Sequence, residues 1–153
     1  NLPAGDWANG ERGIACLPDR VEEFRAGVGR AIEYATALGV KQLNCLIGKT
    51  PAGVDAALVH RTVVENLRFA ASELGKHGIR LLIEAVNTRD IPGFWLHRTE
   101  QAVALIEEVG SANVFIQYDI YHMQIMEGDI AHTLRRHIAR IAHIQLADNP
   151  GRN

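Results

Sequence analysis

Apolar residues along the chain recur at two spacings, and the two alternate. Between residues 19 and 38 they fall three or four apart, at Val21, Phe24, Val28, Ala31, Ala35 and Leu38, which predicts an amphipathic helix. Asp19 and Glu22 are spaced as a capping pair at its start, and Gly39 stands where a left-handed residue would end it. The short apolar run QLNCLIG (42–48) predicts a buried strand. After the loop GKTPAGVD, a second helix is expected over 56–76, with Val59, Val63, Leu67, Ala70 and Leu74 on one stripe and Gly78 as its stop. The cycle then repeats. A strand is expected over 79–86 and a long loop over 87–98, followed by a helix with Thr99 as N-cap, which carries Val103, Ile106 and Val109 and ends at Gly110. VFIQYDI (114–120) predicts a third strand, residues 129–137 a helix, and IAHIQLAD (141–148) a fourth strand.

Strand and helix alternate without hairpin signals, so the expected sheet is parallel with crossover helices. An open doubly wound sheet and a closed (β/α)8 barrel both fit that order. The glycine fingerprint of a dinucleotide site, G-x-G-x-x-G, is absent, as is the full P-loop pattern; GKT at 48–50 is a fragment of the latter. No linker, repeat or charge run interrupts the chain, which reads as one continuous α/β region.

Composition narrows the choice of function. Sixteen basic and eighteen acidic residues leave a formal charge of -2, which argues against non-specific nucleic-acid binding. No apolar run approaches the ~20 residues of a bilayer span, so no membrane partner is expected. Cys16 and Cys45 lack the spacing of a metal site and are too few for a disulfide framework, and a cytoplasmic setting is the simplest reading. NLPAGDWANG has no basic or apolar leader pattern, so no signal peptide is expected.

The informative polar residues lie late in successive strands: Glu84, Asp119 and Gln145. Side chains alternate across a strand, so Glu84 shares a face with Leu82, Asp119 with Gln117, and Gln145 with His143. In a barrel these faces can all point inward and gather two carboxylates and an amide at the end where such barrels carry catalytic groups. Oxygen ligands of this kind suit Mg²⁺ or Mn²⁺. Taken singly, an acidic residue at a strand end is more often an N-cap or a solvated loop group. His122, three residues past Asp119, reads equally as a substrate-binding or metal-supporting group and as an exposed loop histidine. His143 is expected inside, and His60, His77, His97, His132 and His137 at the surface. Trp7, Phe94 and Trp95 either wall a pocket or pack under a lid, and Met123 and Met126 are expected to pack locally.

Together NLPAGDWANGERGIAC (1–16), NCLIGKTPAG (44–53), LLIEAVN (81–87), DIPGF (90–94), QYDIYHMQIMEGD (117–129) and HIQLADNPGR (143–152) closely resemble the hydroxypyruvate isomerases. These belong to the wider xylose-isomerase-like barrel superfamily of isomerases, epimerases and endonucleases. The resemblance implies a (β/α)8 TIM barrel, a divalent metal, and aldose–ketose isomerisation of a small 2-oxo acid. It assigns Glu84 as both metal ligand and acid/base, and Asp119 and Gln145 as ligands; many relatives have His in place of Gln145. The family's second catalytic Glu, from the eighth strand, has no match. Such barrels run to about 250 residues, so the chain is expected to be the central portion, strands 3 to 6, with roughly a hundred further residues split between both ends. The resemblance is compatible with a homo-oligomer. Alternatives within the fold are a 2-oxo-tetronate isomerase or another sugar isomerase or epimerase. A metal-dependent AP endonuclease and a non-catalytic sugar-acid binder are further alternatives.

Overall fold

The computed structural model describes residues 1–153. The chain forms α1 (Val21–Leu38), β1 (Gln42–Cys45), α2 (Ala56–Lys76), β2 (Arg80–Glu84), α3 (Thr99–Val109), β3 (Val114–Asp119), α4 (Ile120–Met126), α5 (Ile130–His137) and β4 (Ile141–Gln145), the expected order with α4 added. The strands form one parallel sheet in the order β1-β2-β3-β4. Each strand lies beside its neighbour in sequence, the arrangement of successive βα units in a barrel wall.

The sheet has two unlike faces. Leu43, Cys45, Leu81, Ile83, Val114, Ile116 and Tyr118 point toward the helices and join a 34-residue apolar core with Phe24 and Val28 of α1, Leu67 and Leu74 of α2, and Leu105 and Val109 of α3. The alternate positions carry Asn44, Leu82, Glu84, Gln117 and Asp119. Leu82 is buried yet lies outside that core. Period-two alternation therefore separates a packing face from a chemical face, as expected.

Several ends differ from the sequence-based expectation, each for a local reason. The segment Pro18–Arg20 forms a 3-10 turn leading straight into α1, and no side chain caps the helix; Arg20 instead pairs with Glu11 and Glu23. Thr99 is the first residue of α3 rather than its N-cap. Its N–H and hydroxyl donate to the two carboxylate oxygens of Glu127, at 2.6 and 2.8 Å, so the cap comes from a residue just beyond α4. Gly39 and Gly110 do adopt the left-handed conformation at the ends of α1 and α3. The strands stop earlier than predicted, because the backbone beyond them turns to loop partners: Val86 donates to Leu96, and Ile47 bridges to Gly13. As a result Glu84, Asp119 and Gln145 are each the last residue of a strand.

Helix α4 was not expected at all. His137, expected at the surface, is buried and its Nε2 lies 3.1 Å from Glu100. His143, expected inside, is exposed, because β4 is the edge strand of this sheet. Both cysteines are free and buried. Burial raises the Cys16 thiol to about 11 and the Cys45 thiol to about 12. No helix is long and apolar enough to cross a membrane.

The segment 1–17 closes over the carboxyl end of β1. Leu2 donates to Asn44 O and Gly13 to Ala4 O, and Gly13 bridges to Ile47. Gly13 has φ +123°, and a Cβ there would stand 2.1 Å from Leu46 O. Gly13→Ala should therefore cost at least about 2 kcal/mol in urea unfolding. Gly29, inside α1 with open space around it, is the opposite case; Gly29→Ala should stabilise by about 0.5–1 kcal/mol. Equal effects from the two changes would contradict this account of the segment.

Candidate active site

The register fixes which polar groups meet. Glu84 is paired across the sheet with Gln117, and Asp119 with Gln145. Parallel strands carry paired residues on the same face, so the ends of β2, β3 and β4 present one row of polar side chains.

Glu84 lies at the centre of that row and is only 6% exposed. Its Oε2 accepts from Asn44 Nδ2 at 2.6 Å and from Gln117 Nε2 at 2.8 Å. Its Oε1 has no such donor and lies 3.9 Å from His122 Nε2. Burial raises the Glu84 carboxyl to about 7, and the nearby Asp119 adds to the rise. The amides of Asn44 and Gln117 and the charge of Arg152 oppose it.

Asp119 takes the structural role that a lone strand-end acid commonly has, and keeps a second one. Its Oδ1 caps α4, accepting from the N–H of Tyr121 at 2.9 Å and of His122 at 3.4 Å. Its Oδ2 faces His122 Nε2 at 3.6 Å. The short helix it starts carries His122 back over the sheet, and this side chain is buried, not an exposed loop group. Desolvation lowers the pKa of its imidazole.

Ligand-type atoms of Glu84, Asp119 and His122 all lie within 4.8 Å of one another. Gln145 reaches this group by another route: its Oε1 accepts from Gln117 Nε2 at 3.0 Å, while the residue itself is exposed on the edge strand. Three of the four expected site residues thus form a buried cluster, and the fourth joins through a shared amide.

Sequence reasoning left three contributors unassigned. Asn44 pairs with Leu82 across β1 and β2, so extending the alternation argument to the first strand would have found it. Gln117 was visible as a neighbour of Asp119 on the same face, but its bond to Glu84 needed the register. Asn87, whose Nδ2 lies 2.6 Å from His122 Nδ1, sits past the end of β2 where no periodicity applies.

These groups floor an open cleft of about 480 Å³, whose walls include Trp7, Phe94, Arg12 and Arg152. Trp95 lies elsewhere, tilted against the His60 ring. Arg12 packs its guanidinium 3.9 Å over the Trp7 ring, and Arg152 lies 4.7 Å over Tyr121; neither makes an ion pair. The GKT loop forms no phosphate cradle: Lys49 Nζ donates to Gly10 O and Thr50 N to Gly93 O, which ties loops together.

A parallel sheet of successive βα units with a polar cluster at its carboxyl ends is the arrangement of part of a barrel wall, and residues 3–153 match the family model of the xylose isomerase-like TIM barrel. The chain belongs to that family. It is 60% identical over 152 residues to hydroxypyruvate isomerase of Escherichia coli K12, covering 99% of this chain and 59% of that protein. It is 48% identical over 153 residues to 2-oxo-tetronate isomerase of Cupriavidus necator, covering 100% of this chain and 59% of that one. A crystal structure from Brucella melitensis described as AP endonuclease, family 2, superposes with a TM-score of 0.94 at 41% identity, over 98% of this chain and 58% of that one. The chain therefore spans about three-fifths of the length of these relatives.

The raised carboxyl has a thermodynamic signature. An unfolded Glu84 would ionise near its ordinary 4.5, and the folded one near 7. Between those values the folded chain retains a proton that the unfolded chain has released, so stability falls as pH rises through that window and levels off above it. In chelator-treated protein, the unfolding free energy should drop by up to about 3 kcal/mol from pH 4.5 to 7 through this group. Glu84→Gln should flatten that part of the curve. An unchanged slope in the variant would assign the dependence to other groups.

Proposed function

We propose that the complete protein interconverts hydroxypyruvate and tartronate semialdehyde, with Glu84 as the proton-transferring base. The observation that carries this reading is the buried Glu84 carboxyl at the floor of the cleft, with one oxygen held by the amides of Asn44 and Gln117 and the other free of donors. A carboxylate held in this way can remove a proton and return it. The 60% identity to an isomerase of this name points the same way.

The donor set fits a hard divalent cation such as Mg²⁺ or Mn²⁺. Glu84 Oε1 and Asp119 Oδ2 lack hydrogen-bond donors, and the buried Oδ1 of Asn44, whose amide nitrogen bonds the other Glu84 oxygen, has no partner. Glu84, Asp119 and Gln145 would hold the cation, which supplies positive charge to the oxygens of the developing enediolate. Glu84 takes a proton from the hydroxymethyl carbon of hydroxypyruvate and the C–H electrons form the enediolate; the hydroxyl proton passes to the neighbouring carbonyl oxygen, and a proton is returned to the neighbouring carbon, leaving an aldehyde beside a hydroxyl. On this reading His122, which lines the cleft beside Glu84, donates a hydrogen bond to the substrate carbonyl oxygen. The two unpaired arginines in the cleft, Arg12 and Arg152, suit a substrate that carries its own carboxylate.

The chain supplies four adjacent strands of the barrel wall. On this reading the rest of the complete protein closes the (β/α)8 barrel and brings the second carboxylate, and small 2-oxo acids are its substrates rather than DNA or a membrane. The chain's net charge of -2 supports that choice over an endonuclease.

The test is a coupled assay of the complete gene product. Hydroxypyruvate should be turned over with added Mg²⁺ or Mn²⁺, and Glu84→Gln should lower kcat by at least about a hundredfold with KM changed only a few-fold. Better turnover of the four-carbon 2-oxo-tetronate would move the assignment to that substrate. Metal-dependent cleavage of abasic-site DNA without isomerisation would replace the proposal.

A further inference from the structure

Asn87 makes a set of contacts that leaves its amide only one orientation. Its Oδ1 accepts from the Asp90 N–H at 2.8 Å, and its Nδ2 lies 3.1 Å from Asp90 Oδ2 and 2.6 Å from His122 Nδ1. Asp90 is an ionised carboxylate: the Tyr121 hydroxyl donates to it at 2.6 Å, Arg89 Nε lies 3.3 Å away, and its carboxyl is held down to about 2. An ionised carboxylate can only accept. Turning the Asn87 amide over would set its carbonyl against that carboxylate and its NH₂ against the Asp90 N–H, two repulsive contacts in place of two bonds.

The assignment passes directly to the histidine. The Asn87 NH₂ has two hydrogens, one for Asp90 and one for His122 Nδ1, so Nδ1 must be the acceptor and bear no proton. The ring proton then sits on Nε2, which faces Glu84 Oε1 at 3.9 Å and Asp119 Oδ2 at 3.6 Å. A nitrogen that carries a proton has no lone pair to give a metal ion.

We infer that Asn87 is a positioning residue that fixes His122 as the Nε2–H tautomer, which makes this ring a hydrogen-bond donor to the substrate oxygen and excludes it from the metal's ligand set. This rests on the reading of the site as an isomerase centre. It separates two ligand sets that proximity alone leaves equal: the compact trio Glu84, Asp119 and His122, and the set Glu84, Asp119 and Gln145. Asp90, Tyr121 and Arg89 are the outer supports, since Arg89 Nη2 donates to the Tyr121 oxygen at 3.0 Å and the Tyr121 hydroxyl to Asp90.

The experiment is a long-range ¹H–¹⁵N spectrum of the complete gene product with labelled histidine. In the wild type at neutral pH, His122 should show an unprotonated Nδ1 and a protonated Nε2, and added Mg²⁺ should leave that pattern in place. Asn87→Asp puts an acceptor opposite Nδ1 and should draw the proton there; Asn87→Leu should give a mixture of tautomers. In both variants kcat for hydroxypyruvate should fall about ten- to a hundredfold with KM within about threefold, the size of effect expected for one misdirected donor. A protonated Nδ1 in the wild type, loss of the Nε2 proton on adding Mg²⁺, or a tautomer unchanged by both substitutions would overturn the inference. The expected spectra from a protein that does not turn over hydroxypyruvate would uphold the tautomer lock while rejecting the isomerase reading.

Discussion

The pairing of Glu84 with Gln117 and of Asp119 with Gln145 is the constraint on which the other features depend. Side-chain direction in a strand reverses at every residue, so a slip of one position in any strand would turn its polar residue into the helix layer and an apolar one into the cleft. The packing of Leu43, Leu81, Ile83, Val114 and Ile116 against α1, α2 and α3 makes such a slip costly. The hydrophobic core thus determines the geometry of the polar face without touching it. Gln117 shows the result: its single amide group bonds both Glu84 and Gln145 because register sets all three at one level.

The electrostatics of the site follow from that placement. Burial does most to raise the Glu84 carboxyl, and the nearby Asp119 adds to the rise. Donors from three elements restrain the rise without cancelling it: Asn44 on β1, Gln117 on β3 and the charge of Arg152 beyond β4. The start of α4 supplies two N–H groups to one oxygen of Asp119. One carboxylate therefore keeps an oxygen free of donors, while the other divides its two oxygens between the start of a helix and the cluster.

The fold was legible where periodicity is strong. Helices α1 and α2 and all four strands follow directly from spacing, and Gly39 and Gly110 end helices as glycine chemistry predicts. At Thr99 and His137 the miss has one cause: a tertiary partner replaced a local one. Thr99 looks like a cap, but Glu127 reaches across from beyond α4 to do the capping. His137 looks like a surface group until Glu100 covers it. Helix α4 is too short to show a period, and its existence depends on Asp119. In the site, Glu84, Asp119 and Gln145 could be read from strand ends, whereas Asn87 lies in a loop where only the folded chain shows that its amide meets His122.

The two buried thiols carry a separate consequence. Neither is a working nucleophile while the chain is folded, since burial keeps both far above neutral pH in pKa. They are sheltered together. Cys16, near the end of the segment over β1, donates its thiol hydrogen to Lys49 O at 3.1 Å, Cys45 is the last residue of β1, and both belong to the one apolar core. Alkylation of either thiol therefore records the opening of that core, readable by mass alone.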